Sequence, residues 1–260
     1  MSENSLIDSL VEMSHTLGEP AREYAMLGEG NTSARVDAET FLVKASGFRL
    51  QDIGPEGFVR MRFDRCRELL DQTGLSDSDV KAGLQAARLD QAGSLMPSVE
   101  AALHAILLET PGVNFVGHAH PVAANAILCS VRAKEAFAGR LFPDEIVCCG
   151  IAPCLVDYID PGLPLARGVR DAVNDFFALY EERPKVICLI NHGVFTLGKS
   201  AKDVIATMDM FVKVCKILHG TFALGGPNFL TPDNVRRIHT RPDEHYRQAQ
   251  LGIRSASGTT

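Results

Sequence analysis

No run of 18 apolar residues occurs anywhere in the 260-residue chain, so no membrane-spanning helix is expected. Positive charge is in deficit: 26 Lys and Arg face 32 Asp and Glu, a net charge of −6. Nonspecific binding to nucleic acid or to an anionic membrane needs a basic face, so neither partner is expected; a locally basic pocket is not excluded. The opening stretch MSENSLIDSLVEMSHTLGE has no basic n-region and no apolar h-region, so no signal peptide is expected. There is no Cys-x-x-Cys, and the seven cysteines are an odd number, most of them in apolar segments. A free thiol there behaves as a small hydrophobe, which points to a reducing cytoplasm without structural disulfides. Cys148 and Cys149 are adjacent, but strand neighbours point to opposite faces, which argues against a paired soft-metal or redox site. Neither a Walker loop nor a G-x-G-x-x-G fingerprint is present, so no motif implies ATP or NAD. Long linkers, internal repeats and low-complexity blocks are also missing. The expectation is one domain over residues 1–260, with the Ser-rich tail RSASGTT frayed from about residue 250.

Apolar residues make up 46% of the chain, enough for a sizeable core. Leu6, Leu10, Met13 and Leu17 follow the helical period and predict a helix over 4–17. GEGNTSAR (28–35) reads as a glycine-bearing turn, and FLVKAS (41–46) and GFVRMR (57–62) as short strands. Helices are predicted over 77–89 and over 98–112, the second stopped by Pro-Gly. VNFVGHAH (113–120) reads as a buried strand, followed by a helix with Pro121 in its first turn. EIVCCG (145–150) falls in a less regular segment. A helix over 165–181, the strand KVICLIN (185–191), a helix over 200–219 and a C-terminal helix from about 231 complete the pattern. Strands alternating with helices make a layered α/β or α+β domain, and the continuous apolar runs at 113–117 and 186–190 suit a sheet covered on both faces.

His118 and His120 are two apart at a strand end. Residues i and i+2 share a face of a strand, so both imidazoles can aim at one point, as two ligands of one ion must; a solvated polar strand end would carry the same residues. His192 ends a second apolar strand, and Gly193 after it permits a tight turn or a close backbone approach. Three neutral imidazoles leave a coordination position for substrate, the pattern of catalytic zinc sites. His104 lies inside the helix SVEAALHAILLE and reads as a structural or supporting residue. Glu100 stands near the start of that helix, where a carboxylate is favoured by the helix dipole and where, beside a metal, it would also serve as a base. Gly30, Asn31, Thr32, Ser33, Ser46 and Gly47 sit in segments read as turns. Their hydroxyls, amide and backbone N–H groups, with Ser98 at a helix start, suit an anion cradle, although each is also an ordinary turn former. Lys44 would add charge there or face solvent.

The ordered set GEGNTSAR, VKASG, PSVEAALH, GHAHP and NHGVFTLG resembles the class II aldolase/adducin family, over roughly residues 5–220. The resemblance implies an αβα fold, with a central, mainly antiparallel sheet flanked by helices. It assigns His118, His120 and His192 as ligands of a divalent metal, usually Zn2+, and matches Glu100 to the acid–base glutamate. Asn31, Ser46, Gly47 and Ser98 match a substrate-phosphate cradle, to which Thr32 and Lys44 are added as neighbours. The implied activity is retro-aldol cleavage of a ketose, foremost a ketose 1-phosphate, through a metal-stabilised enediolate. Dehydratase, decarboxylase or epimerase chemistry on the same fold is the alternative, as is a non-catalytic adducin-like module. The small-molecule partner is a sugar or sugar phosphate, and the expected assembly is a homotetramer. Three departures stand out. Val99 replaces the second serine of a phosphate-binding pair, residues 62–97 are longer than in compact aldolases, and the tyrosine that protonates the leaving aldehyde aligns with no position, leaving Tyr246 as the choice among four tyrosines.

Overall fold

The computed structural model describes residues 2–243. Its elements run α1 (Glu3–Leu17), β1 (Asn31–Arg35), β2 (Thr40–Lys44), β3 (Phe58–Arg62), α2 (Phe63–Asp71), α3 (Asp77–Ala86), α4 (Ala101–Glu109), β4 (Phe115–Ala119), α5 (Val122–Leu128), α6 (Ala133–Ala136), α7 (Pro143–Cys149), β5 (Cys154–Val156), α8 (Leu163–Tyr180), β6 (Val186–Leu189), β7 (Gly193–Gly198), α9 (Ala201–Ala223) and α10 (Pro232–His239). The seven strands form one sheet in the order β3-β2-β1-β4-β7-β6-β5. Every pairing is antiparallel except β5 with β6. The central, mainly antiparallel sheet is therefore present, with one parallel edge.

Strand alternation sends successive side chains to opposite faces and divides the apolar residues into two cores. Phe41, Val43, Val116, Ile187 and Phe195 pack with Leu103 and Leu107 of α4 and Val169 of α8. Leu42, Ala34, Phe115, Cys188 and Val194 pack with Leu10 of α1 and Met208 and Phe211 of α9. Helices thus cover both faces, as the uninterrupted apolar runs of β4 and β6 require.

Several boundaries differ from the sequence reading. Residues 31–35 are not a turn but strand β1, all but its last residue buried; Asn31 is a poor strand former beside a glycine-bearing stretch, and sheet partners on both sides override that preference. EIVCCG is not irregular. Residues 143–149 form α7 with Pro143 in its first turn, so Cys148 and Cys149 are helical neighbours, both buried, and burial pushes the Cys149 thiol up to about 12. β7 follows β6 after a tight turn, where the glycine of NHG had masked a second strand. The helix read from residue 98 begins at Ala101. Among the described residues, no helix is long and apolar enough to cross a membrane.

Candidate metal centre

β1, β4 and β7 lie side by side, and their register brings the polar residues together. Asn31 stands opposite His118, and His118 opposite Phe195. The His118 ring stacks on Phe195 at 4.0 Å between centroids and is fully buried. Its Nδ1 is 3.1 Å from the carbonyl oxygen of Val194; a carbonyl only accepts, so Nδ1 carries the hydrogen and the Nε2 lone pair points to the cleft. His120, two residues on, presents Nε2 at 3.0 Å from Nε2 of His118. His192 closes the group from the turn between β6 and β7, where Asn191 takes a left-handed φ of 57°. Gly193 is required by close approach: a Cβ there would lie 2.5 Å from Cδ2 of His120 and 2.7 Å from the Ala119 carbonyl oxygen. Asn125 on α5 donates to the His192 carbonyl at 3.0 Å and holds that turn.

One ligand atom from each of the three imidazoles lies within 4.8 Å of the others. The donor set fits a divalent cation. Two imidazole nitrogens at 3.0 Å share one proton or one cation, and burial holds all three rings below the usual histidine range, favouring the neutral form a metal needs. For His118 the neighbouring His120 and His192 add to the effect of burial, whereas Glu29 and Glu100 partly oppose it for His120 and His192 respectively.

Glu100 is the residue just before α4. It is buried, with its two oxygens 3.6 Å from Nε2 of His118 and 3.6 Å from Nε2 of His192. Burial raises its affinity for a proton, opposed by the Asn31 hydrogen bond and by His192 and Lys44. Asn31 Nδ2 donates to Glu100 Oε2 at 2.7 Å, while buried Oε1 accepts no hydrogen bond.

The segment before Glu100 runs along the end of β2. Ser46 N donates to the Met96 carbonyl, and Ser98 N to that of Lys44, which brings both serines to the same short antiparallel bridge. Asn31, Lys44, Ser46, Gly47, Ser98 and Glu100 line one cleft of about 290 Å³ with the three histidines. Lys44 is buried and donates to the Phe48 carbonyl at 2.7 Å; burial lowers its pKa, with Glu100 acting in the opposite direction. A larger cleft of about 650 Å³ by Arg62 and Arg88 contains no imidazole.

Thr32 does not belong to this group. It points to the other face of β1, where its hydroxyl lies 2.6 Å from that of Ser14 in α1. Reading 28–35 as a turn concealed the alternation that separates it from Asn31. Ser33 faces the site side but meets His104, at 2.6 Å from Nδ1. Tyr246 lies outside the described residues. Sequence reasoning missed Glu29, 3.9 Å from Nδ1 of His120, Asn125 and Pro161, which also lines the cleft; none carried a local signal beyond ordinary loop or helix composition.

Residues 8–219 match the model of the class II aldolase and adducin N-terminal domain. The chain belongs to the class II aldolase and adducin family. Solved structures of the same fold include the N-terminal class II aldolase domain of a conserved protein from Thermoplasma acidophilum, with 25% identity over 84% of this chain and 95% of that one and a TM-score of 0.64. YgbL from Escherichia coli, described as an aldolase, epimerase or decarboxylase, has 20% identity over 92% and 99% and a TM-score of 0.65. An L-fuculose 1-phosphate aldolase has 17% identity over 92% and 96% and a TM-score of 0.68. No curated protein sequence matches the chain. Within this class II aldolase and adducin domain, the imidazole cluster, the buried carboxylate and the serine-lined cleft occupy one end of the sheet.

Proposed function

We propose that the chain is a divalent-metal-dependent class II aldolase that cleaves a ketose, foremost a ketose 1-phosphate, by a retro-aldol reaction. The observation that carries this reading is the placement of one buried carboxylate, Glu100, 3.6 Å from Nε2 of both His118 and His192. His118, His120 and His192 would hold the metal, with Zn2+ the expected ion. When bound, it supplies Lewis-acid stabilisation of negative charge on substrate oxygens.

The rest of the chemistry belongs to side chains. Asn31 engages one oxygen of Glu100 and leaves Oε1 without a hydrogen-bond partner. That oxygen gives a proton to the substrate carbon beside the carbonyl in cleavage and removes it in synthesis. Ser46, Gly47 and Ser98 hold the terminal phosphate through hydroxyl and backbone donors, and the Lys44 ammonium lines the same cleft. Tyr246 is retained as the group that exchanges a proton with the aldehyde oxygen. The protein works in this reading as a cytoplasmic homotetramer.

A second reading rests on Val99. It lines the cleft between Ser98 and Glu100, 58% exposed, and offers no hydroxyl to a phosphate. A free sugar or sugar acid gains from that side chain, while sugar-phosphate dehydratase, decarboxylase or epimerase chemistry is the alternative on the same scaffold. The buried Lys44 cation favours an anionic substrate, a phosphate or a sugar acid, over a free sugar. Two measurements test the proposal: metal content of the purified protein, expected near one ion per chain, and release of aldehyde from a panel of free and phosphorylated ketoses. Metal-free active protein, or metal-loaded protein that releases aldehyde from no ketose, would remove the aldolase reading.

A further inference from the structure

His104 is a buried titratable side chain that the proposed reaction leaves without a task. It sits on α4 one turn after Glu100, fully buried, edge-on to Phe195 with ring centroids 5.5 Å apart. Both ring nitrogens meet residues of β1. Nδ1 lies 2.6 Å from the Ser33 hydroxyl, and Nε2 is hydrogen-bonded to Oδ1 of Asn31. Asn31 and Ser33 are two apart on one strand and share a face, so one imidazole spans both.

The hydrogen-bond directions in this chain are determined by its far end. Asn31 Nδ2 donates to Glu100 Oε2 at 2.7 Å and to Ser98 Oγ at 3.2 Å. Both amide hydrogens are then committed, and Oδ1 can only accept. Nε2 of His104 must therefore carry the ring hydrogen. Burial holds the ring neutral, with a pKa pushed down to about 3, so Nδ1 keeps its lone pair and accepts from Ser33. A flipped Asn31 would set its carbonyl oxygen against the Glu100 carboxylate, two acceptors at hydrogen-bond distance. An amide has no intrinsic preference between the two orientations; a donor on its oxygen side supplies one.

We propose that His104 is a positioning residue: through its Nε2–H it fixes the Asn31 carboxamide with the NH2 turned toward Glu100 and Ser98, and so holds the Glu100 carboxylate in its place beside the three histidines. An apolar residue of similar volume would fill the space without desolvating an imidazole. Every polar atom on the path Ser33–His104–Asn31 is satisfied, and the path ends on Glu100 and Ser98, both in the cleft. The catalytic consequence rests on the proposed function; the tautomer and the amide orientation do not.

The test has two independent arms. Long-range 1H–15N spectra of the full-length protein labelled with 15N-histidine report each ring's tautomer, and His104→Leu identifies the signal. The expected result is a neutral Nε2–H tautomer that does not change between about pH 5 and 8, the range in which an ordinary histidine titrates. An Nδ1–H tautomer or an imidazolium at His104 would overturn the assignment, whatever reaction the protein performs. In 15N-asparagine spectra, with Asn31 identified through Asn31→Asp, the side-chain amide of Asn31 should shift and exchange faster in His104→Leu.

The second arm is kinetic, on protein of verified metal content. His104→Leu should lower kcat on the order of 10²-fold, the effect of a small misplacement of a reacting group, with KM little changed. His104→Gln, whose side-chain NH2 reaches the place of Nε2, should recover most of that loss. Equal turnover and an unmoved Asn31 amide in His104→Leu would reduce His104 to a space-filling residue. Should no ketose be turned over, the spectra still decide the role of His104, and the failure belongs to the proposed reaction alone. Should His104→Leu not fold, the wild-type tautomer and the Gln variant carry the decision.

Discussion

Asn31 and His118 face each other across the β1–β4 ladder, and Glu100 reaches both, at 2.7 Å from Asn31 Nδ2 and 3.6 Å from His118 Nε2. The amide that engages Glu100 and a proposed metal ligand are therefore cross-strand partners joined by one carboxylate. Disturbing one should be felt by the others, and the predictions separate them.

His118→Ala, His120→Ala and His192→Ala should each lose most bound metal, because a three-ligand site has no spare donor. They should differ in stability. His118 is buried against Phe195, so truncation there should cost roughly 2–5 kcal/mol, as in other large-to-small core changes. The other two are only partly buried and should change little. Elemental analysis with urea unfolding checks both; full metal retention in any variant removes that residue from the ligand set.

Glu100→Gln keeps the shape and removes the base. Turnover should fall by about 10²–10⁴-fold while the three imidazoles keep the metal. Near-normal turnover would mean that the carboxylate only serves the start of α4.

Ser46→Ala should raise KM for a phosphorylated substrate by roughly 10–150-fold, the loss of one hydrogen bond to a charged group at about 1.5–3 kcal/mol. Inorganic phosphate should compete with that substrate. If phosphate does not compete, and the phosphorylated ketose is no better than its free form, the Val99 reading prevails.

The acid side of the stability profile should carry the imprint of His104. Burial first, and Lys44 second, depress its pKa from 6.5 to about 3. As pH falls below 6.5 the unfolded chain takes up a proton that the folded one refuses, so stability drops from about pH 6.5 down to about 3. At full difference in protonation the slope is about 1.4 kcal/mol per pH unit. His104→Gln should flatten this limb in urea titrations across pH; an unchanged limb would mean that the ring protonates in the folded state.

Cys129 is the exposed cysteine, and the other six are buried. Burial pushes the thiols of Cys66 and Cys154, like that of Cys149, up to about 12. Thiolate is the reactive form, so a thiol reagent should modify Cys129 quickly and the rest only on unfolding. Two or more fast thiols would contradict the buried assignments.

The three clustered histidines were legible as candidates because the signal is local, His-x-His at a strand end and His-Gly after an apolar run, while their role as ligands came from the family resemblance. The longer helices were legible from periodicity, whereas α2, α6 and α7 were not read. Strand β1 was not legible, because Asn31 and Ser33 after two glycines read as a turn and become a strand only between β2 and β4. Thr32 was misplaced as a direct result. The link from His104 to Asn31 joins residues 73 apart in sequence, and nothing in SVEAALHAILLE announces it. The antiparallel pairing came from family resemblance, since the apolar runs of β4 and β6 suited a parallel sheet equally well.

The alternation along β1 has one more consequence. Asn31 and Ser33 serve the cleft side, while Thr32 and Ala34 serve the opposite side. A slip of one residue in the β1–β4 pairing would reverse every side chain. It would put Ser33 or Arg35 where Ala34 now packs and withdraw Asn31, the partner of Glu100, in the same step. A correctly threaded chain and an active one are thus selected together: a mis-threaded copy is left with unsatisfied polar groups inside and cannot persist as a well-folded but inactive protein.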